Sequence, residues 1–420
     1  MTKINVLNYG CSANLAESEG IKGLLKNEGY EISKNGDVII LNLCTVKGDE
    51  SALREVRKAH EKNPNSKFVI TGCVTNKLRD LLKNNFPNDS IMTTHQISQI
   101  NKVVGKVVNG ERVELTFSNR EEKINLPKVR SNPCIGIILI SQGCLSTCTY
   151  CSVKHIKGHL TSYSLQSIKK EVELCVKDGC KEIWLTSQDN GCWGFDIGLD
   201  PGDLLKMVCE IPGDFMVRFG MASPQHVLKN VEKIIDAYKH KKMFKFLHVP
   251  IQSGSDKVLI DMKREGSIKN FKEVVEQFKS KIPNIRISTD IIVGFPGESD
   301  NDFEKTVQMI ENLKIDVVNI SKFVSRPNTL AAKMKLLHTE IVKKRAQELS
   351  QQNKQLSTNL LKKFLGWKGK VIIDTKGKNN TLIARNESYI PIILEKGKIG
   401  DVISVEIVET RDFYCIGKIV

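Results

Sequence analysis

A chain of 420 residues, 40% hydrophobic and 26% charged, has the composition of an ordinary folded protein of several domains at roughly 100–200 residues each, which excludes a disordered or fibrous chain. The formal net charge is +15, and residues 331–420 carry 17 Lys/Arg against 9 Asp/Glu, so a polyanion such as nucleic acid is a candidate partner beside a merely solvated lysine-rich surface. No apolar run approaches the roughly 18 residues of a membrane span, and MTKINVLNYGC lacks a signal-peptide layout; the expected location is cytoplasmic, with no membrane partner.

In a reducing compartment, the 12 cysteines hold metal or do redox work more readily than they pair. Ile4–Gly10, Asp37–Cys44 and Lys67–Cys73 read as buried strands, followed by helical patterns such as Ala13–Glu28 and Asp49–Asn63, which predicts a parallel α/β sheet. Each strand runs into a cysteine: Cys11, Cys44 and Cys73. The carboxyl ends of parallel strands share one edge, so these thiols converge as a three-thiolate site, the alternative being separate buried thiols.

NREEKINLPKVRSNP (Asn119–Pro133) reads as a linker. Beyond it, Cys134–Ile140, Glu182–Ser187, Phe215–Ser223, Lys245–Ile251, Ile285–Phe295 and Asp316–Phe323 read as strands separated by helices, hence a full or partial (β/α) barrel with its chemistry at the strand C-termini. KVIIDTK, TLIARNESYIPIIL, DVISVEIVET and FYCIGKIV predict a small antiparallel barrel at the end. The expected fold class is therefore α/β, divided as 1–122, 126–358 and 360–420.

QGCLSTCTYCSVKH follows the first barrel strand and sets Cys144, Cys148 and Cys151 at C-x3-C-x2-C. His155 could complete a zinc site, making the chain a zinc-dependent RNA-binding module. Three thiolates on a 4Fe-4S cube would instead leave one iron open. A long α/β region needs no zinc staple, which favours the cube.

The C-x3-C-x2-C loop, with Tyr150 before its last cysteine, resembles that of radical S-adenosylmethionine enzymes. NYGCSANLAESEG, NLCTV, TGCV, HVPIQSGSDKVLIDMKR and TDIIVGFPGESDNDFEKT resemble methylthiotransferase motifs, and the last 60 or so residues resemble a TRAM domain. KHIKGHLTSYS, SQDNGCWGFDIG, VRFGMASP and ARNESYIP are most similar to the archaeal and eukaryotic threonylcarbamoyladenosine branch. Gly266 stands where that family usually has an aromatic residue, and Asn328 where it has glycine.

The resemblance implies methylthiolation of carbon 2 of N6-threonylcarbamoyladenosine at tRNA position 37, with two 4Fe-4S clusters and S-adenosylmethionine as cofactors. Cys144, Cys148 and Cys151 would hold the catalytic cluster, and Cys11, Cys44 and Cys73 the auxiliary one. Partners would be tRNA, an electron donor such as ferredoxin or flavodoxin, and an unspecified sulfur donor. Isopentenyladenosine in tRNA and a ribosomal-protein aspartate are the family's other targets. Tyr150, Ser187, Gln188, Arg218, Gln252 and Gly294 are expected near the cofactor, with Ser253 a weaker candidate; Arg218 suits a carboxylate by its planar fork. Lys343, Lys344, Arg345, Lys362, Lys363, Lys368 and Lys370, with Lys333, are expected on RNA phosphates. His248 reads as a satisfied histidine at a strand end or a general base. Cys134, Cys175, Cys180, Cys192, Cys209 and Cys415 fall outside the motifs.

Overall fold

The computed structural model describes residues 1–45, 48–116 and 120–420; Val46, ending the NLCTV stretch, and Asn119, opening the predicted linker, lie outside them. The N-terminal sheet has strands β1 (Lys3–Asn8), β2 (Glu31–Ile32), β3 (Val38–Leu43), β4 (Lys67–Gly72), β5 (Ser90–Met92) and β6 (Glu114–Leu115), in the order β2-β1-β3-β4-β5-β6. All pairs are parallel. Strand β3, VIILNL, is buried at every position, as a strand covered on both faces must be. The three strands expected from sequence are the long central neighbours β1, β3 and β4; the others run only two or three residues, too short to show as apolar runs.

The segment from 120 to 133 carries neither helix nor strand, yet it is packed rather than loose: Lys123 N donates to Tyr163 Oη (3.0 Å) and Asn125 N to Glu171 (2.7 Å). Next come β7 (Ile135–Leu139), the short antiparallel pair β8 (Ser141–Gln142) and β9 (Thr161–Ser162), then β10 (Glu182–Thr186), β11 (Met216–Phe219), β12 (Phe246–His248), β13 (Arg286–Val293) and β14 (Val317–Lys322). Among the described residues, parallel sheets β11-β10-β7 and β12-β13-β14 share no strand pairing; an isolated bridge, Val217 to Met243, and a hydrogen bond from Ala222 N to His248 O (2.9 Å) link the two sides, so the barrel is partial. Its core is continuous with Ala13 and Ala16 of helix Ser12–Asn27 and with Ile372 and Tyr389 of the C-terminal barrel.

Helix Thr339–Leu361 leads into a closed barrel of β15 (Lys368–Lys376), β16 (Leu382–Arg385), β17 (Pro391–Leu394), β18 (Val402–Thr410) and β19 (Cys415–Ile419), ordered β15-β16-β17-β19-β18. TLIARNESYIPIIL is not one strand but a hairpin: Asn386 accepts from Tyr389 N through its carbonyl (2.9 Å) and from Ile390 N through Oδ1 (3.0 Å), turning the chain. That turn docks beneath the split barrel, where Lys245 N donates to Glu387 O (2.7 Å) and Ser388 Oγ to Asn284 O (3.0 Å).

Near this seam Glu182 is fully buried, accepts from Trp184 Nε1 (2.9 Å), and is pushed up to about 8 by burial and by Asp374, against the nearby cations Arg385 and Arg218. The folded protein therefore keeps a proton on Glu182 that the unfolded chain releases near 4.5, so stability falls as pH rises from about 4.5 to about 8 and is level above. Glu182→Gln, which stays neutral, is expected to reduce this slope by up to about 1.4 kcal/mol per pH unit, read as urea midpoints across that range.

Candidate active site

Strands β1, β3 and β4 are neighbours, so Cys11, Cys44 and Cys73 stand in a row at one sheet edge. Behind them Asn14 and Asn42 exchange hydrogen bonds: Asn14 Nδ2 donates to Asn42 Oδ1 (2.8 Å) and Asn42 Nδ2 to Asn14 O (2.8 Å), and Asn42 Nδ2 also donates to Ser18 Oγ (3.0 Å). This closed polar pairing, buried on both sides, fixes helix Ser12–Asn27 against β3 and with it the position of Cys11.

The second trio lies in the long loop that the β8–β9 pair closes at its base. Gly143 begins it at φ +76°, and a β-carbon there would fall 1.9 Å from His159 O, so only glycine lets the strand turn into the loop. Gly143 N donates to Gln188 Oε1 (2.7 Å), Lys154 Nζ donates to Cys144 O, and Arg264 reaches both Cys148 Sγ (3.6 Å) and Pro250 O (2.7 Å). Arg326 donates to Tyr150 O (3.3 Å).

Both trios line one cavity of about 440 Å3, so cysteines from segments far apart in sequence converge. Ser12 Oγ lies 2.8 Å from Thr186 Oγ1 across the meeting of the two sheets. Burial pushes Cys73 up to about 12, with Lys157 opposing; a hydrogen bond from Cys192 is the largest influence holding Cys144 down to about 7; burial raises Cys151. Among the described residues, neither trio draws its sulfurs within 4.8 Å of one another as ligands of a single ion would; the group that does is Asp189, Cys192 and His226. There Asp189 is already satisfied by Gly191 N (3.0 Å), Ser223 N (3.0 Å) and His226 Nδ1 (2.8 Å), which pins the loop bearing Gln188. The wider spacing and all-thiolate donors fit a cluster better than one ion, and each trio fits a 4Fe-4S group with one iron left open. His155 lines a different cleft, with Thr75, Asn76 and Pro327.

Tyr150, Ser187, Gln188, Arg218 and Gln252 all line the shared cavity. Tyr150 meets Phe295 edge-on (6.3 Å), and Ser187 Oγ donates to Asn190 Oδ1 (3.2 Å). His248, also lining it, pairs with Asp290 Oδ1 (2.8 Å), which Asn319 shares, so it has the partner expected of a satisfied histidine. Gly294 differs from expectation: buried beyond β13, it packs against Val342, and its N–H donates to Glu298 Oε2 (2.9 Å) rather than facing the cavity. Ser253 is likewise buried away from it, accepting from Ser255 N (3.2 Å).

Of the expected phosphate contacts, Lys333, Lys343, Lys344, Lys362, Lys363, Lys368 and Lys370 are exposed. Arg345 is not: it is buried and paired with Glu298 (2.7 Å) and Asp300 (2.6 Å), where it ties the long helix to the barrel, so its charge is already matched and it leaves the RNA set. Asn328 sits at φ +62°, the left-handed region that glycine tolerates best and asparagine next, which explains why this substitution keeps the local shape. The six cysteines outside the motifs are all buried. Sequence reading gave no role to Arg264, Arg326, Lys154 or Lys157, because nothing local distinguishes them from surface cations, even though Lys154, Lys157 and Arg264 fall within the family-like stretches.

Models of known families match in the same order as these units: Uncharacterized protein family UPF0004 over residues 3–93, the Radical SAM superfamily over 138–310 and the TRAM domain over 362–420. These define a radical S-adenosylmethionine enzyme with a TRAM domain. The probable threonylcarbamoyladenosine tRNA methylthiotransferase of Pyrococcus abyssi is 36% identical, covering 100% of both chains. The Homo sapiens threonylcarbamoyladenosine tRNA methylthiotransferase is 36% identical over 99% of this chain and 74% of its own. The chain belongs to this methylthiotransferase family. Among solved structures, the radical S-adenosylmethionine methyltransferase TsrM from Kitasatospora setae superposes with a TM-score of 0.56 at 13% identity, covering 77% of this chain and 72% of that one; this likeness concerns the fold alone. No helix among the described residues is long and apolar enough to cross a membrane.

Proposed function

We propose that this enzyme adds a methylthio group to carbon 2 of N6-threonylcarbamoyladenosine at position 37 of tRNA, using a 4Fe-4S cluster at each cysteine trio and S-adenosylmethionine. One observation carries the reading: Cys11, Cys44 and Cys73 open onto the same cavity as Cys144, Cys148 and Cys151. A sulfur donor site and a radical source must face the same carbon, and a shared cavity allows it. Bound there, the clusters and S-adenosylmethionine supply the one-electron and sulfur chemistry that this carbon, neither acidic nor electrophilic enough for polar attack, requires.

The chain's own residues hold and shield that chemistry. Gln188 and Lys154 brace the backbone of the C-x3-C-x2-C loop, while Arg264 places a guanidinium beside Cys148. Pairing Ser12 with Thr186 brings the sheet edges together. Exposed lysines of the long helix and C-terminal barrel contact phosphates, and the target base leaves the anticodon-loop stack to enter. The functional units are 1–122 for the auxiliary cluster, 126–358 for radical chemistry and 360–420 for RNA, with a ferredoxin or flavodoxin as electron donor.

Anaerobically reconstituted protein is expected to convert threonylcarbamoyladenosine in tRNA to its 2-methylthio form, read by nucleoside mass spectrometry; active clusters without that product reject the substrate. Lys362→Glu combined with Lys363→Glu is expected to weaken tRNA binding uniformly across tRNA species and to flatten the plot of log affinity against log salt by about two units or fewer, measured by filter binding.

A further inference from the structure

Five basic side chains other than histidine line the catalytic cavity: Lys154, Lys157, Arg218, Arg264 and Arg326. Lys154 is held by Cys144 O, Lys157 by Glu17 and Thr94, Arg264 by Cys148 and Pro250, and Arg326 by Tyr150 O. Arg218 differs. Among the described residues its guanidinium has no hydrogen-bonded partner, and its Nε is buried without one.

An aromatic enclosure holds it instead. The guanidinium carbon lies 4.9 Å from the Trp184 ring centre, 5.3 Å from Tyr389 and 5.7 Å from Phe246. Trp184 and Phe246 belong to the split barrel, whereas Tyr389 comes from the C-terminal barrel, on the turn between β16 and β17. Tyr389 is only 8% exposed and packs on Phe244 and Phe246 (4.8 and 5.2 Å). A second guanidinium, Arg385, lies over the same ring at 4.7 Å, but Asp374 Oδ2 matches it at 3.1 Å. Glu182, an acid that feels the charge of Arg218, is pushed up to about 8 by burial and carries little charge at neutral pH.

Aromatic faces orient a guanidinium and tolerate its charge without occupying its donors. The planar fork of Arg218 thus remains available, and it suits two carboxylate oxygens. Arg218 lies on β11 itself, whereas the other lining residues of that stretch, Gly220, Met221 and Ser223, follow the strand, so it sits deeper in the barrel.

We propose that Arg218 is the receptor for a ligand carboxylate, and that Tyr389, delivered by the C-terminal barrel, is the positioning residue that sets it. The C-terminal barrel is then part of the catalytic pocket as well as an RNA handle. Two ligands of the reaction bear a carboxylate: the threonyl group of the modified nucleoside, if the proposed substrate holds, and the methionine moiety of S-adenosylmethionine.

The test compares reconstituted wild type with Arg218→Gln, Arg218→Lys, Tyr389→Leu and Tyr389→Phe. Each is given anticodon stem-loop RNA bearing threonylcarbamoyladenosine as the free acid or as its neutral methyl ester; S-adenosylmethionine affinity without RNA is measured separately. For a threonyl carboxylate, wild type prefers the acid in kcat/KM, and Arg218→Gln erases that preference by roughly tenfold or more while cofactor affinity holds. With a methionine carboxylate, Arg218→Gln weakens cofactor binding by a similar factor and leaves the acid-to-ester ratio intact. If Arg218→Gln changes neither, the receptor proposal is overturned. Tyr389→Leu is expected to move the same quantity as Arg218→Gln, with Tyr389→Phe near wild type; an unchanged ratio and affinity in Tyr389→Leu overturns the positioning role. The ratio does not depend on how much protein folds. Should wild type modify neither RNA, the substrate reading fails, and the cofactor arm still decides Arg218.

Discussion

Cys148→Ala is expected to lose about four irons per chain, all cleavage of S-adenosylmethionine and all methylthio product, whereas Cys44→Ala loses a similar amount of iron and the product but keeps cofactor cleavage. The asymmetry follows from how the trios are built. Cys148 sits in the loop closed by β8 and β9, braced by Gln188 and Arg264 from the barrel side and by Lys154 within the loop. Cys44 follows β3, in a row with Cys11 and Cys73 whose support is the Asn14–Asn42 pairing within the N-terminal sheet. Neither scaffold requires the other's thiols, so each loss should stay local. His155→Ala is the control: its side chain opens into another cleft, and the variant should keep full iron and cleavage. Iron analysis, absorbance and anaerobic assay for 5'-deoxyadenosine separate the three. Iron loss in His155→Ala, or zinc in place of iron, would overturn the two-cluster account.

Glu17→Gln is expected to destabilise the protein by about 3–5 kcal/mol, the range for removing one partner of a buried ion pair. Glu17 Oε1 accepts from both Lys123 and Lys157 at 2.7 Å, and all three side chains are at most 3% exposed. Thr94 Oγ1 donates to the same carboxylate (2.9 Å) and accepts from both lysines. Two ammonium groups so buried cannot be rehydrated, and the amide leaves them without a counter-charge. The cluster joins helix Ser12–Asn27, the segment before β7 and the cysteine loop, so its loss should loosen the seam on which both trios depend. Burial alone would raise the Glu17 pKa, but the two lysines hold it at about 2, against 4.5 unfolded. Its stabilisation is therefore complete above about 4.5 and disappears as pH falls toward 2. Chemical denaturation of wild type and variant between those limits should show the two curves converging at the acid end. A gap that persists unchanged there would assign the loss to packing.

What sequence could show depended on whether a signal was local. β1, β3 and β4 are six-residue stretches rich in apolar residues, and the cysteine beyond each was visible because parallel strands necessarily end on one edge. β2, β5 and β6 were not, being two or three residues long. TLIARNESYIPIIL read as one strand because its apolar ends outweighed NESY, which makes the turn through Asn386. Arg345 looked like its exposed neighbours Lys343 and Lys344, since a helix sequence alone does not say which face will meet Glu298 and Asp300.

By itself the sequence determined the family and the order of the three parts, and it singled out the six cysteines as candidates, because motifs are short-range patterns that survive without knowledge of folding. Only the tertiary structure decided that both trios share one cavity, that Glu17 closes the seam between them, and that a tyrosine from the C-terminal barrel reaches Arg218. Each of those joins residues from separate segments of the chain, about seventy positions apart or more, and whether such groups meet is set by packing of whole elements rather than by any local preference.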